Sequence, residues 1–490
     1  MNKFMNSVID LAKRFTTHSG SGPSVADEIK ALRAENERLR AELANANAII
    51  KELQSRLTLN SRNSSKPPSS DGPTKPKPKS LRPRTGRKTG GQVGHEGKTL
   101  KMETPDLTID YGKDVCECGR VLNDVSGTVD EVRQTHGIIT AKLVTDHRRV
   151  VKVCPDCGAA VRGKFPEGVN ARVQYDQSVE RFADYGMNRQ FTPFARTAEF
   201  LRDVFKIGLS EGTLGKFRTR LYARVKGPVS TIKSLIIAAR VANFDETSFG
   251  CGGKRRWLHS ASTDKLVYFH VTDGKGSEAM REVGVLPKFK GVAIHDHNKA
   301  YYKFENCAHG ECDTHVIREL VFLHEERGQR WAAIMINLLL EAKGTVDSAK
   351  LVGERMLPDT MIDTIERAYD RVVGIGFAEN PDVEPTGPPK RGRRKRSREV
   401  NLLIRLRQYK REHLLFIHDF DVPFDNNGAE RSFRPEKTRQ KISGTTRAEY
   451  SANEICAIRG YLATAARNGV NAYDAIGLAL RGTPFVPAAG

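Results

Sequence analysis

Residues 419–444, DFDVPFDNNGAERSFRPEKTRQKISG, set one acid, Glu430, within a run of amides, arginines and lysines. Asp425 or Asn426 is suited to cap a helix. Beyond either, Asn427, Glu430, Arg431 and Arg434 recur at three- and four-residue spacing, so they share one polar helical face. Pro435 removes a backbone donor, so the helix is expected to end or kink near Arg434, with Arg439 and Lys441 following. A carboxylate flanked by cations makes an ordinary solvated ion-pair surface. It becomes a site if other acids join it. Glu430 would then help hold a divalent cation, and the arginines the phosphates on which that cation acts.

Two aspartates qualify as those other acids. LIIAARVANFDETSF is an apolar run ending in Asp245, RRWLHSASTDKLVYFHV reads as a hairpin, and VLPKFKGVAIHDHNKAYY brings a buried strand ending at Asp296. Alternation places Val241, Asn243 and Asp245 on one face and Glu246 on the other, while Val292 and Ile294 share a face with Asp296. Asp245 is therefore preferred to Glu246. A lone aspartate at a strand end is usually a turn former; a pair of them, with Glu430, in a basic chain is a candidate cation site.

The elements that must position and feed this site precede it in the chain. Over residues 29–57 a heptad places Ile29, Asn36, Leu43, Ile50 and Leu57 at a, and Leu32, Leu39, Ala46 and Leu53 at d. This predicts a coiled coil over 24–58 that joins two copies, with Asn36 specifying a parallel pair; the alternative is a single amphipathic helix on its own domain. Residues 59–100 are rich in Pro, Gly, Ser and positive charge and read as a flexible basic linker. Cys116 and Cys118, then Cys154 and Cys157, resemble two knuckles flanking β-like alternation, a small zinc-ribbon-like β domain over 101–170. Four thiolates suit tetrahedral zinc, although the first pair is one residue shorter than C-x-x-C.

Residues 194–225 read as a helix, a short turn at 206–209 and a second helix capped by Ser210, the grammar of a helix-turn-helix within a 171–230 region. Lys216, Arg218, Arg220 and Arg224 on the second helix are candidate DNA contacts. Residues 313–399 are mainly helical up to a Pro/Gly break and the charge run KRGRRKRSR. This segment is expected to interrupt a core formed by 231–312 and 400–450. Residues 400–416 are expected to form a helix returning the chain to that core, and 451–490 a C-terminal amphipathic helical pair.

At 490 residues the chain is too long for one core, and a multidomain α+β protein is expected. Eighty Lys and Arg against 59 Asp and Glu give a net charge of +21 and a pI near 9.6, which suits a polyanionic partner. No apolar run is long enough for a membrane span, the N-terminus lacks the core of a signal peptide, and the cysteines are too few for a secreted disulfide scaffold. A cytoplasmic protein is the expectation, with no membrane partner.

The motifs NSRNSSKPPSSD, GGQVGHEGKTL, CPDCG, FDETSF, CDTHVIREL and above all DNNGAERSFRP resemble the transposases of the insertion sequence 66 family, along nearly the whole chain. The resemblance implies a DDE-type enzyme with an RNase H-like α/β catalytic core and a helical insertion. In it Asp245, Asp296 and Glu430 hold two magnesium or manganese ions for phosphodiester hydrolysis and strand transfer. Arg431, Arg434, Arg439 and Lys441, with Lys216, Arg218 and Arg220, would contact double-stranded DNA, both element terminal repeats and target. Cys312 and His315 match the family's C-x-x-H segment, whereas HDHNKAYY departs from its usual D-G-Y. A dimer or higher oligomer and accessory proteins of the same element are implied partners. The alternatives are a non-catalytic DNA-binding protein derived from a transposase and an RNase H-like nuclease without strand transfer.

Overall fold

The computed structural model describes residues 25–64, 100–381 and 396–488. Most of the basic linker, and the charge run up to residue 395, lie outside the described residues. The chain forms two compact units: Met1–Lys77 with Gly310–Asp425, and Pro78–His309 with Asn426–Gly490.

In chain order, α1 (Val25–Leu57) is one helix of 33 residues. Its predicted a and d positions Ile29, Leu32, Leu39, Leu43, Ile50, Leu53 and Leu57 are all exposed. The linker does not begin loosely. Asn60 N–H donates to Asn63 Oδ1 at 2.8 Å, Ser64 Oγ donates to the Asn60 carbonyl at 2.6 Å, and Asn63 and Ser64 are buried within their unit.

In the other unit, β1 (Val151–Val153) and β2 (Ala160–Arg162) pair antiparallel around the second cysteine pair. The alternation read between the knuckles yields no strand among residues 122–150, because these exposed residues find no ladder partner. Next come α2 (Gln177–Asn188), α3 (Phe194–Phe205) and α4 (Glu211–Ala238). Their core is Ala183, Met187, Leu201, Leu214 and Phe217. The expected turn is present: Lys206 adopts a left-handed φ of 58°, and the Ser210 hydroxyl caps Thr213 N–H at 3.2 Å. Helix α4 runs through Pro228 to Ala238, so LIIA, expected as strand, is helical.

The central sheet follows. Strand β3 (Val241–Cys251) turns at Gly252 and Gly253, whose φ values of 60° and 72° suit a primed two-residue hairpin, into β4 (Lys254–Ser262). Then β5 (Val267–Thr272) completes an antiparallel meander, as the hairpin reading required. After α5 (Ser277–Val283), β6 (Val292–His295) lies parallel to β3, and β7 (Ala308–Glu311) completes the order β5-β4-β3-β6-β7. Asp245 is thus not at a strand end. It lies inside β3, just beyond the point where pairing with β6 stops.

The first unit resumes with α6 (Asp313–Arg327), α7 (Arg330–Leu351) and α8 (Asp359–Glu379), around buried Trp331, Leu339 and Tyr369. The expected return helix is broken into α9 (Arg398–Gln408), α10 (Lys410–His413) and α11 (Leu415–His418). Residues up to Asp425 belong to this unit rather than to the one that carries strands β3 to β6. Its entry and exit segments meet, with Asp313 N–H donating to the Phe424 carbonyl at 3.2 Å.

The chain ends in the sheet-bearing unit with α12 (Asn427–Ser443), α13 (Glu449–Arg467) and α14 (Ala472–Leu480). Helix α12 does not stop at Pro435, because its buried face, Ala429, Ser432, Phe433, Glu436 and Arg439, spans the proline. Burial on both sides outweighs one missing backbone bond. The sheet is covered on both faces: Ala242 and Phe244 pack with Ile232, Ile236 and Phe289, and Phe249 packs with Phe433, Ala452 and Cys456.

Candidate active site

Backbone register brings the two aspartates together. The β3–β6 ladder pairs Val241 with Val292 and Asn243 with Ile294, so one further step along both strands sets Asp245 beside Asp296 on the same face. Parallel strands lie about 4.8 Å apart, within reach of one shared cation.

The third acid arrives on α12, whose first turn is pinned to β3. Asn426 accepts from Asn243 Nδ2 at 2.8 Å and donates from Nδ2 to the Phe244 carbonyl at 2.7 Å. Read from sequence as a cap, Asn426 occupies the N-cap position but makes no capping bond with its side chain. Gly428 permits the close approach, since a Cβ there would sit 3.4 Å from Asn243 Oδ1. Glu430 follows half a turn later, with Asp245, Asp296 and Glu430 each half-buried.

The electrostatics report the convergence. Burial, then the like charges of Asp296 and Glu246, push the Asp245 carboxyl well above the usual carboxylate range, and Glu430 adds to the push; the Glu246 N–H opposes it. One carboxyl thus senses the other two acids from elements far apart in sequence. Among the described residues, no group of three or more His, Cys, Asp or Glu side chains is gathered closely enough to hold a metal ion as it stands. The donor set nonetheless fits a hard divalent cation, because it is oxygen only and its crowded like charges are what such a cation relieves.

Sequence reasoning missed the residues behind these acids. Glu246 points to the opposite face, where Asn298 Nδ2 donates to Oε1 at 2.7 Å and Tyr301 OH to Oε2 at 2.6 Å. Burial raises the Glu246 carboxyl above its ordinary value, partly offset by those two bonds and by Lys275. Burial and the acids Glu246, Asp296 and Asp245 push the Tyr301 hydroxyl well up. The signal was available in HDHNKAYY, read only as a departure from a motif.

The candidate DNA contacts divide in two. Lys216, Arg224, Arg431, Arg434 and Lys441 have exposed side chains. The others have internal partners: Arg218 bonds Glu454 and Ser451, each at 2.9 Å; Arg220 chelates Glu180 at 3.0 and 2.7 Å; and buried Arg439 bonds Glu436 at 2.7 Å and Thr446 at 3.0 Å. Helical spacing did not reveal these acids because they come from other helices or from the buried side of α12.

Each cysteine pair lies in a tight turn. Cys116 N–H bonds the Arg120 carbonyl at 2.8 Å, and Cys154 N–H the Ala159 carbonyl at 2.9 Å. The Cys118 thiol is held below its ordinary value by the Arg120 N–H and the Cys116 thiol, and Cys154 by the N–H groups of Cys157 and Asp156 and the Cys157 thiol. Amides that stabilise thiolates are what a metal knuckle provides, but the two pairs do not form one four-sulfur group. In the other unit, Cys312 is buried at the start of α6, and among the described residues no group of three or more metal-ligating side chains gathers around it or His315.

No helix among the described residues is long and apolar enough to cross a membrane. No curated protein matches the sequence. Residues 21–101 match a family of unknown function (DUF6444). Residues 182–454, more than half of the chain and including all three acids, match the family described as Transposase IS66 family. The chain therefore belongs to the IS66 family of transposases.

Proposed function

We propose that this transposase binds the ends of its element and both cuts and joins DNA at Asp245, Asp296 and Glu430, on an RNase H-like core. The observation that carries the reading is geometric: the β3–β6 register leads Asp245 and Asp296 to the same face, and Asn426 pins the first turn of the helix bearing Glu430 to β3. The sheet order, a three-stranded antiparallel meander with a parallel strand added beside β3, supports the core assignment. Two magnesium or manganese ions, when bound, would supply activation of the attacking oxygen and stabilisation of the leaving 3′ oxygen. The chain's own part is to hold three carboxylates in register. Exposed Arg431, Arg434 and Lys441 on α12, with Lys216 on α4, would grip phosphates near the scissile bond. Arg218 and Arg439 drop out of that set, being covered and committed to internal acids, whereas Arg220 remains exposed beside its partner Glu180.

The exposed apolar stripe of α1 supports pairing with a second copy, which would bring two element ends together. Turn amides directed at the thiols support zinc at Cys116, Cys118, Cys154 and Cys157, if the two knuckles close on each other. The test is incubation of purified protein with its element's end sequences and magnesium, followed by strand-resolved product analysis. Nicked ends and joined target DNA are expected, and Asp245→Asn should abolish both. Protein that retards the DNA but leaves it whole would overturn the enzymatic reading, and target that never acquires donor ends would overturn strand transfer. An Asp245→Asn variant that nicks at the normal rate would remove that residue from the catalytic set.

A further inference from the structure

Asp296 sits one residue beyond β6, in a loop, yet must keep a fixed distance from Asp245 on a rigid strand. The loop is closed by Asn298, whose N–H donates to the Asp296 carbonyl at 2.7 Å while its Oδ1 accepts from Ala300 N–H at 3.1 Å. His295 Nδ1 donates to the same Asp296 carbonyl at 2.6 Å, and its ring stacks on Tyr301 at 4.4 Å with planes 6° apart. Asn298 and Tyr301 are thus the loop's two fixed points, and both donate side-chain bonds to Glu246. Glu246 also reaches the other aspartate: its N–H donates to Asp245 Oδ1 at 2.8 Å.

We propose that Glu246 is a positioning residue that spaces the two aspartate carboxylates for a shared divalent cation, orienting Asp245 through its backbone amide and anchoring the Asp296 loop through its carboxylate. The inference rests on the metal-binding reading of Asp245 and Asp296. Adjacent strand residues point to opposite faces, so a single residue can address one aspartate by main chain and the other by side chain. The carboxylate itself lies on the opposite face from Asp245 and need not touch substrate. Groups of this kind hold ligands in place, and their loss weakens metal affinity by about 10- to 100-fold.

The test measures manganese binding to the full chain by electron paramagnetic resonance, beside the manganese dependence of end cleavage. Glu246→Ala should weaken binding by about 10- to 100-fold and raise the half-activating concentration equally, with the rate recovering at saturating metal. Glu246→Gln, which keeps one acceptor, should recover most of the affinity. Asn298→Ala and Tyr301→Phe should each fall between, and Tyr301→Phe should add little to Glu246→Ala because the bond it removes is already gone. A Glu246→Ala protein that binds manganese within about twofold of normal, while Asp245→Asn and Asp296→Asn lose it, overturns this inference alone. If those two aspartate variants also bind normally, the metal reading itself fails. A lowered melting temperature with an unchanged metal constant would mark Glu246 as merely structural and equally overturn the proposal. Should Glu246→Ala not fold, normal binding by Glu246→Gln, Asn298→Ala and Tyr301→Phe together would do so.

Discussion

Replacing Asn426 by alanine tests the joint between the third acid's helix and the central strand. The side chain makes two bonds to β3, at 2.8 and 2.7 Å, and the residue is 1% exposed. Alanine deletes both and leaves the Phe244 carbonyl and the Asn243 amide to find other partners. A buried hydrogen bond contributes about 1 kcal/mol net, and a buried partner left unmatched costs about 1–3 kcal/mol. Asn243 is half-buried and water can replace part of its loss, so about 2–4 kcal/mol is expected in all. For a unit of this size that lowers the unfolding midpoint by roughly 3–6 °C. Glu430 lies on the first turn after Asn426, so cleavage should fall by about 100-fold even where the protein stays folded, the effect of misplacing a reacting group by about 1 Å. Scanning calorimetry and magnesium-dependent end nicking measure the two effects. Thr438→Ala, exposed on the same helix, should stay within about 0.5 kcal/mol of the parent. An Asn426→Ala protein as stable and as active as the parent would refute the argument that this amide seats the helix.

Other outcomes follow from the same geometry. Arg439→Ala should destabilise the protein by about 3–5 kcal/mol, because it strips the closest cation from buried Glu436. Arg434→Ala should leave stability within about 0.5 kcal/mol and reduce the salt dependence of DNA binding by about one counterion. In the helical unit, burial pushes the Asp313 carboxyl up to about 6, against the pull of its partner His413. Its folded value exceeds the unfolded one, so the unit binds that proton more tightly than the open chain. The resulting stability is complete below about pH 4 and is lost as pH rises through about 6. Asp313→Asn should therefore gain on the parent by roughly 3 kcal/mol across that window, read from urea melts at several pH values; a pH-independent difference would contradict it. Gly291→Ala should fail to fold or lose more than about 3 kcal/mol, because its Cβ would fall on the carbonyl oxygens of Arg240 and Ala239, which belong to the backbone and cannot turn aside.

Local periodicity carried much of this site. Alternation along VANFDE grouped Asp245 with Val241 and Asn243, and along GVAIHD it grouped Asp296 with Val292 and Ile294, because a strand's side chains must alternate; that the two groups share a face comes from the β3–β6 register, which no local pattern gives. Helical spacing likewise grouped Asn427, Glu430, Arg431 and Arg434 on one polar face, and a single helix carries all four. What escaped depends on contacts between distant segments. Asn426 looks like a cap in isolation and becomes a clasp only when β3 offers it a carbonyl. Pro435 looks like a terminator until packing on both sides carries the helix through. Arg218 and Arg439 look like phosphate grips until Glu454 and Glu436 arrive beside them. Val400–Phe416 had the apolar content of a core helix, and nothing local tells which core it joins.

The hydrogen bond between Asp313 and Phe424 bears on how the long detour between Asp296 and Glu430 is tolerated. Bringing chain ends together carries an entropic penalty that grows only as the logarithm of the intervening length, about 0.6 kcal/mol for each doubling. Here the helical segment meets that penalty through its own folding, because its first and last residues are neighbours once it has formed. To the strand and helix that hold the acids it then acts as a short tether, whatever its length. Such a segment can be enlarged, trimmed or exchanged between related elements while the spacing of the carboxylates stays the same.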